Sequence, residues 1–223
     1  MIRRSRLALL AALGCAVGSL SCGSAGPTEP NILLIDAAIP TGWFRVGGTV
    51  ASYVVGLDHN NAHSGKVALA IGGTDTSVRF FNGVGQEVKA DAYRGKRVRL
   101  QGWVRQANVV GSDIGLWMRI DGPGVTQGFD NFSTRPLLGT ADWHRVEIIL
   151  DVPSNAIGIA FGALMSGKGV LLVDDLTLDV IPATGPTTNQ LLEFTASGVD
   201  SATFAGVYAN QPSGPLNLGF EQR

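Results

Sequence analysis

The stretch RVRLQGWVR at residues 97–105, followed by IGLWMRID at residues 114–121, decides the fold. In both segments aliphatic side chains occupy every second position, and arginine or tryptophan occupies several of the positions between them. Successive side chains of a β-strand point to opposite faces of a sheet. The pattern therefore predicts two strands, each with one face packed on a core and the other face carrying Trp and Arg.

Shorter alternating runs lie on both sides of this stretch, at residues 66–71, 145–151, 157–163 and 170–180. Turn-forming sequences separate the runs, and no segment after residue 30 shows sustained helical spacing. Roughly eight or nine short strands with almost no helix are typical of an antiparallel β-sandwich. We therefore predict an all-β sandwich domain.

The composition excludes some classes of function. The chain has 223 residues, with 17 Lys and Arg against 18 Asp and Glu, so its formal net charge is -1. A nucleic-acid binder usually carries a basic excess or a basic stripe, and we expect no nucleic-acid partner. Hydrophobic residues make up 45% of the chain and charged residues 16%, which is enough apolar material for a packed core.

The first 22 residues predict export. Arg3, Arg4 and Arg6 precede an apolar run at residues 7–20 that is too short for a comfortable transmembrane helix. This is the arrangement of a signal peptide over residues 1–22. The expected location is therefore outside the cytoplasm.

Cys22, at the end of this signal, predicts a lipid anchor. The chain has two cysteines and both lie in the signal segment. Ser19-Leu20-Ser21-Cys22 resembles a bacterial lipoprotein cleavage box, which implies that Cys22 becomes the acylated first residue. Residues 23–30, GSAGPTEP, then form a flexible tether. The expectation is a cell-envelope protein that meets the membrane through its anchor only; ordinary cleavage and secretion is the alternative.

Several motifs, taken in order, resemble the galactose-binding-like jelly roll, the fold of many bacterial carbohydrate-binding modules. The resemblance covers about residues 41–181, within a predicted sandwich domain at 31–181. It implies a jelly-roll sandwich that binds a polysaccharide or glycan without catalysis. The motifs are Gly42-Trp43-Phe44, His63-Ser64-Gly65-Lys66, Tyr93-Arg94-Gly95-Lys96-Arg97-Val98-Arg99-Leu100, Trp143 and Val173-Asp174-Asp175-Leu176-Thr177-Leu178.

The end of the chain departs from the family pattern. Members usually open with a strand that reads Asn-x-Gly-Phe-Glu, but here Asn217-Leu218-Gly219-Phe220-Glu221 stands at the C-terminus, beyond a predicted long loop at 182–215. One interpretation is that residues 216–223 form a strand that returns to the sandwich. The other is that they begin a second module that is missing.

Eight residues are candidates for carbohydrate binding. Two tryptophans and three charged neighbours alternate with the core-facing residues of the two central strands, so they lie on the outer face of the sheet. Three more polar residues follow in a loop. Aromatic planes stack on the apolar faces of sugar rings, while Arg, Asn and Asp bind hydroxyl groups. The alternative is that loops 122–140 or 182–215 cover the tryptophans and that the charges form salt bridges. The candidates are Trp103, Arg105, Trp117, Arg119, Asp121, Asp130, Asn131 and Arg135.

The resemblance also implies a structural Ca²⁺ near the first and last strands. Its ligands would be Asp174, carbonyl groups around residues 64–66, and Glu221, since Ca²⁺ binds oxygen atoms. The alternative is that Asp174 and Asp175 only end a strand in a solvated bend.

Catalysis has little support in the sequence, because no metalloprotease helix or nucleophile-elbow motif is present. We therefore expect no enzyme. Two functions remain: a non-catalytic carbohydrate-binding module tethered to the cell envelope, or a structural or protein-interaction lipoprotein on the same sandwich without a sugar site. The sequence names neither the sugar nor a protein partner.

Overall fold

The computed structural model describes residues 35–48, 51–77, 80–191 and 206–222. The predicted signal peptide, Cys22 and the tether therefore lie outside the described residues. Among the described residues, no helix combines the length and the apolar content that are needed to cross a membrane.

Eight strands form within these ranges, and every pairing between them is antiparallel. The helical content there is one short turn at residues 206–208. The predicted all-β antiparallel fold is confirmed. The strands are β1 (Phe44–Gly47), β2 (Tyr53–Asp58), β3 (Ala68–Thr74), β4 (Asn82–Lys89), β5 (Lys96–Gly122), β6 (Val125–Asp130), β7 (Gly139–Val152) and β8 (Gly158–Ile181).

The long strands β5 and β8 pair with each other along almost their whole length and bend together. The register shifts between Ala107 and Val110 and again between Ser112 and Gly115. At the bend the two backbones approach closely: a Cβ on Gly111 would lie 2.0 Å from the carbonyl oxygen of Ser166. Only glycine fits there, because any side chain would push the two strands apart.

The bend divides the curled sheet into two halves that pack face to face. The first sheet half has the strand order β2–β3–β8–β5–β7, and the second sheet half has the order β1–β4–β8–β5–β6. Strands that change sheets through bulges are a known way to make the corners of a sandwich. Each half keeps one face for the core and one outer face.

The core faces are the ones that the alternation predicts. The aliphatic side chains at alternate positions of both arms of β5 are buried in one hydrophobic cluster, whereas the intervening Trp103 and Trp117 are outside it. Burial of such side chains stabilises the fold by roughly 1.5–3 kcal/mol each. The residues of β5 in this cluster are Val98, Leu100, Val104, Val109, Ile114, Leu116, Met118 and Ile120.

The C-terminal segment 216–222 packs against the sandwich, but it is a turn and not the strand that the sequence predicts. Asn217 and Phe220 adopt positive φ angles of 49° and 59°, which an extended strand does not allow. Leu176 N–H donates to the carbonyl of Leu218 at 3.1 Å. The turn directs Phe220 into the core, where its ring lies 5.1 Å from that of Trp43.

Replacement of Phe220 by Ala should lower the free energy of unfolding by about 3–5 kcal/mol, because the side chain is fully buried. Chemical denaturation of the purified protein measures the change. Leu216→Ala is the matched control, since Leu216 lies in the same segment and is 49% exposed; its effect should stay within about 0.5 kcal/mol. Equal stability of Phe220→Ala and the wild type would contradict the packing of this segment.

Candidate functional site

A cleft of about 410 Å³ opens on the outer face of the second sheet half. Its lining comes from β1, β5, β6, β8 and the adjoining loops, so the cleft crosses the strands. Aromatic and aliphatic side chains form most of it, and three polar side chains join them. The lining residues are Val46, Phe81, Asp113, Trp117, Arg119, Phe129, Asn131 and Leu164.

Trp117 forms the floor of this cleft. Its indole fits over two glycines: a Cβ on Gly85 or on Gly162 would lie 2.9 Å from an indole atom. The indole N–H donates to the carbonyl of Val84 at 3.1 Å, and only 7% of the residue is exposed. Trp117 is therefore a fixed apolar floor, and the more exposed rings beside it are those of Phe81 and Phe129.

Two polar side chains of the cleft hold each other in place. The Asn131 amide donates to Asp113 Oδ1 at 2.9 Å, and the Ser112 hydroxyl donates to Asp113 Oδ2 at 2.8 Å. These bonds join the bend of β5 to the loop after β6. Both residues are partly exposed, so the Asp113 carboxylate and the Asn131 amide are accessible from the cleft.

Arg119 is fixed by Asp121, its neighbour two positions along the same face of β5. Arg119 Nε lies 2.9 and 3.0 Å from the two carboxylate oxygens. Burial alone would lower the pKa of Arg119, but attraction to Asp121 and a hydrogen bond with Tyr208 raise it overall. The group is therefore a permanent cation at the cleft.

Asp121 itself does not reach the cleft, because it is fully buried. Its carboxylate also accepts hydrogen bonds from Tyr208 at 2.6 Å and from Thr126 at 3.4 Å. Burial raises the pKa of the Tyr208 phenol far above its usual range. Asp121 thus positions Arg119 and ties residues 206–208 to the outer face of the second sheet half.

Asp130 and Arg135 form a second internal ion pair. Asp130 is fully buried, and Arg135 donates to both of its oxygens at 3.1 and 2.7 Å. The Arg135 guanidinium also lies 4.0 Å from the ring centre of Phe132. These two residues shape the loop that presents Asn131, and the carboxylate of Asp130 is not available to a ligand.

Trp103 and Arg105 lie on a different surface, the outer face of the first sheet half. The Trp103 indole stacks on His63 with ring centres 4.0 Å apart. Arg105 Nη1 donates to Asn61 Oδ1 at 3.1 Å. Because β5 bends, outward-facing residues on its first arm lie on the first sheet half, and outward-facing residues on its second arm lie on the second sheet half.

The structure therefore brings three of the eight predicted residues into the cleft: Trp117, Arg119 and Asn131. Sequence reasoning missed the rest of the lining. Phe129 lies on a strand whose side chains alternate between the two faces of the sheet, so its outward position could have been predicted from the sequence. Phe81 precedes β4, and no sequence pattern marks its position. The missed residues are Val46, Phe81, Asp113, Phe129 and Leu164.

Asp174 and Glu221 meet the same turn, at residues 63–67. Asp174 Oδ2 accepts the N–H groups of His63 and Ser64 at 2.9 and 3.1 Å. Burial raises the pKa of Asp174 to about 6, although these and other backbone hydrogen bonds oppose the shift.

Glu221 Oε1 accepts the N–H groups of Lys66 and Val67 at 2.8 and 3.2 Å. The two carboxylates therefore tie the turn to β8 and to the C-terminal segment. Among the described residues, no group of three or more His, Cys, Asp or Glu side chains is arranged to hold a metal ion. The Ca²⁺ expectation, which relies on backbone carbonyls as further ligands, stays a prediction.

Comparison with known proteins relates most of the chain to one curated protein. No protein-family profile matches the chain. The uncharacterized HTH-type transcriptional regulator YbfP of Bacillus subtilis (strain 168) is 34% identical over 184 residues, which cover 81% of this chain and 57% of that protein. The chain thus spans a little over half the length of this relative.

Solved structures that superpose on the chain include binding domains and a cyclase. The CBM22-1 xylan-binding domain of Paenibacillus barcinonensis Xyn10C is 16% identical with a TM-score of 0.46, covering 72% of this chain and 100% of that one. TmCBM61 in complex with β-1,4-galactotriose is 17% identical with a TM-score of 0.42, covering 63% and 90%. The Stig cyclase Fisc from Fischerella sp. TAU is 14% identical with a TM-score of 0.46, covering 67% and 89%. Likeness at this level does not assign a ligand to this chain.

Proposed function

We propose that this protein is a non-catalytic carbohydrate-binding module and that the cleft over Trp117 is its binding site. One observation carries the proposal: a single cleft combines a fixed indole floor and two phenylalanine rings with a guanidinium, a carboxylate and an amide. A sugar ring has apolar C–H faces edged by hydroxyl groups. Aromatic surface suits the faces, and charged or amide groups suit the edges.

The size and rigidity of the cleft support this proposal. A volume of about 410 Å³ lies within the usual range of small-ligand sites, about 300–1,000 Å³. The polar groups are held before a ligand arrives, because Arg119 is paired with Asp121 and Asn131 with Asp113. Preorganised groups lose little conformational entropy on binding.

The relationship to a transcriptional regulator is compatible with a binding role. A helix-turn-helix needs two helices, and the described residues of this chain contain one short helical turn. The 184 aligned residues make up 81% of this chain, so they include most of the β-sandwich. A β-sandwich with a cleft suits recognition of a small ligand, which favours binding over a purely structural role.

Phe81→Ala should weaken oligosaccharide binding about fivefold to tenfold, since one aromatic contact is worth roughly 1 kcal/mol. Phe80→Ala is the matched control, because Phe80 is the adjacent ring, 63% exposed and not part of the cleft lining. A glycan array selects the oligosaccharide, and isothermal titration calorimetry compares the two variants with the wild type.

Both phenylalanines are exposed, so neither variant should change the melting temperature by more than about 2 °C. Equal affinity of Phe81→Ala and the wild type would contradict the assignment of the binding site to this cleft. Absence of binding to every glycan on the array would favour the alternative, a structural or protein-interaction lipoprotein on the same sandwich.

We propose further that the module is tethered to the cell envelope through a lipid on Cys22. The support is the sequence of the signal segment and its single terminal cysteine. Metabolic labelling with an alkyne fatty acid should mark the wild type and not Cys22→Ala, with Cys15→Ala as the matched control that keeps the label. A label that persists in Cys22→Ala would overturn the anchor.

We also propose a structural Ca²⁺ at the turn of residues 63–67, supported by two carboxylates that already meet there. Removal of the metal with EDTA should lower the melting temperature by several degrees, because a ligand that binds only the folded state stabilises it. Glu221→Gln should be less sensitive to EDTA, whereas Glu147→Gln, on β7, should respond like the wild type. A melting temperature that is indifferent to both EDTA and Ca²⁺ would contradict the proposal.

A further inference from the structure

Tyr208 lies outside the cleft over Trp117 but packs on the outer face of the same sheet half. It is not part of the cleft lining, and only 3% of the residue is exposed. Its ring occupies the space above Gly158 on β8, so a side chain at that position would collide with it. Gly158 pairs with Asp121 on β5, which places the ring beside the carboxylate that holds Arg119.

The Tyr208 hydroxyl belongs to one hydrogen-bonded network with Asp121 and Arg119. It donates to Asp121 Oδ2 at 2.6 Å. Arg119 Nε lies 2.9 and 3.0 Å from the two oxygens of the same carboxylate. Burial would lower the pKa of Arg119, and Asp121 together with a hydrogen bond to Tyr208 raises it. Of these three residues, Arg119 is the one that lines the cleft.

Asp121 has little else to replace this hydroxyl. Among the described residues, its further hydrogen-bond partner is the Thr126 hydroxyl, which lies 3.4 Å from Oδ1 and is therefore distant for an O–H donor. Without the Tyr208 hydroxyl, Oδ2 keeps Arg119 alone. A fully buried acceptor with too few donors costs free energy, and Asp121 would relieve that cost by drawing the Arg119 guanidinium away from the cleft.

Strand β4 fixes the segment that carries Tyr208. The Lys89 N–H donates to the carbonyl of Pro212 at 2.9 Å, and the Gln211 amide donates to Glu87 Oε2 at 3.2 Å. Gln211 N–H also donates back to the carbonyl of Tyr208 at 3.2 Å. The position of the hydroxyl is therefore set by the docking of residues 206–212.

We propose that Tyr208 is a positioning residue of the binding site: through Asp121 it fixes the direction of the Arg119 guanidinium, so the docking of residues 206–212 sets the affinity of a cleft that Tyr208 does not line. The part of this inference that concerns affinity rests on the proposed function. The part that concerns the position of Arg119 is independent of any ligand.

The first test needs no ligand. Proton–nitrogen NMR of the purified protein measures how fast the Arg119 Nε–H exchanges with water, and loss of the signal in Arg119→Lys assigns it. Tyr208→Phe keeps the ring over Gly158 and removes the hydroxyl alone. It should speed the exchange about tenfold, because the guanidinium becomes less firmly held.

Tyr53→Phe is the matched control for this measurement. Tyr53 lies on β2, in the first sheet half, and is 8% exposed. Its hydroxyl accepts the N–H of Gly167 at 2.8 Å, so the variant also removes a buried hydroxyl that makes a hydrogen bond. The exchange of the Arg119 Nε–H should stay as in the wild type.

The second test is a double-mutant cycle by isothermal titration calorimetry with the strongest-binding oligosaccharide of the glycan array. Tyr208→Phe should lower the affinity about fivefold to tenfold in the wild-type background, as loss of one hydrogen bond to a charged group would. In the Arg119→Lys background it should lower the affinity less than about twofold, because the hydroxyl acts through the guanidinium. Lysine keeps a positive charge beside the buried Asp121, so this background should fold.

Equal exchange of the Arg119 Nε–H in Tyr208→Phe and the wild type would overturn the inference, whatever the protein binds. Equal losses of affinity in the two backgrounds would also overturn it, since Tyr208 would then act without Arg119. Absence of binding to every glycan of the array would contradict the proposed function instead, and the exchange measurement alone would then decide the role of Tyr208.

Discussion

The antiparallel pairing of β5 with β8 through their common bend is the constraint on which the rest of the molecule depends. Both strands would be too long for a flat sheet, and the bend lets each serve in both sheet halves. It requires backbones in close contact, which the glycines at 111 and 167 permit. Once the bend is made, the positions of the core and the cleft follow.

Buried charge plays a positioning role around the cleft over Trp117. Asp121 and Asp130 lie completely inside the protein, and each is paired with one arginine. A buried carboxylate is stable only when its partner and its hydrogen bonds are in place. Each pair therefore fixes a neighbouring group of the cleft: Asp121 holds Arg119, and the Asp130–Arg135 pair supports the loop that carries Asn131.

The C-terminal segment completes the domain through contacts that are distant in sequence. Phe220 enters the core beside Trp43, and Glu221 binds the turn of residues 63–67 through two backbone N–H groups. Tyr208 packs against Gly158 and donates to Asp121. The chain thus closes one end of the sandwich with Tyr208, which lies in the predicted loop 182–215, and with a turn at 216–222, where one interpretation of the sequence placed a strand.

The sequence by itself determined the alternating runs of β3, β5, β7 and β8 and their inner faces, because alternation is a local property: Val98 and Met118 are core residues on any half-buried strand. It also marked Trp103 and Trp117 as outward-facing. It did not show that the runs 97–105 and 114–121 belong to one bent strand, β5. Only the tertiary structure decided that these two tryptophans lie on separate surfaces, since that depends on where β5 bends against β8. The same holds for Phe81, whose place in the cleft results from the packing of strands far apart in the chain.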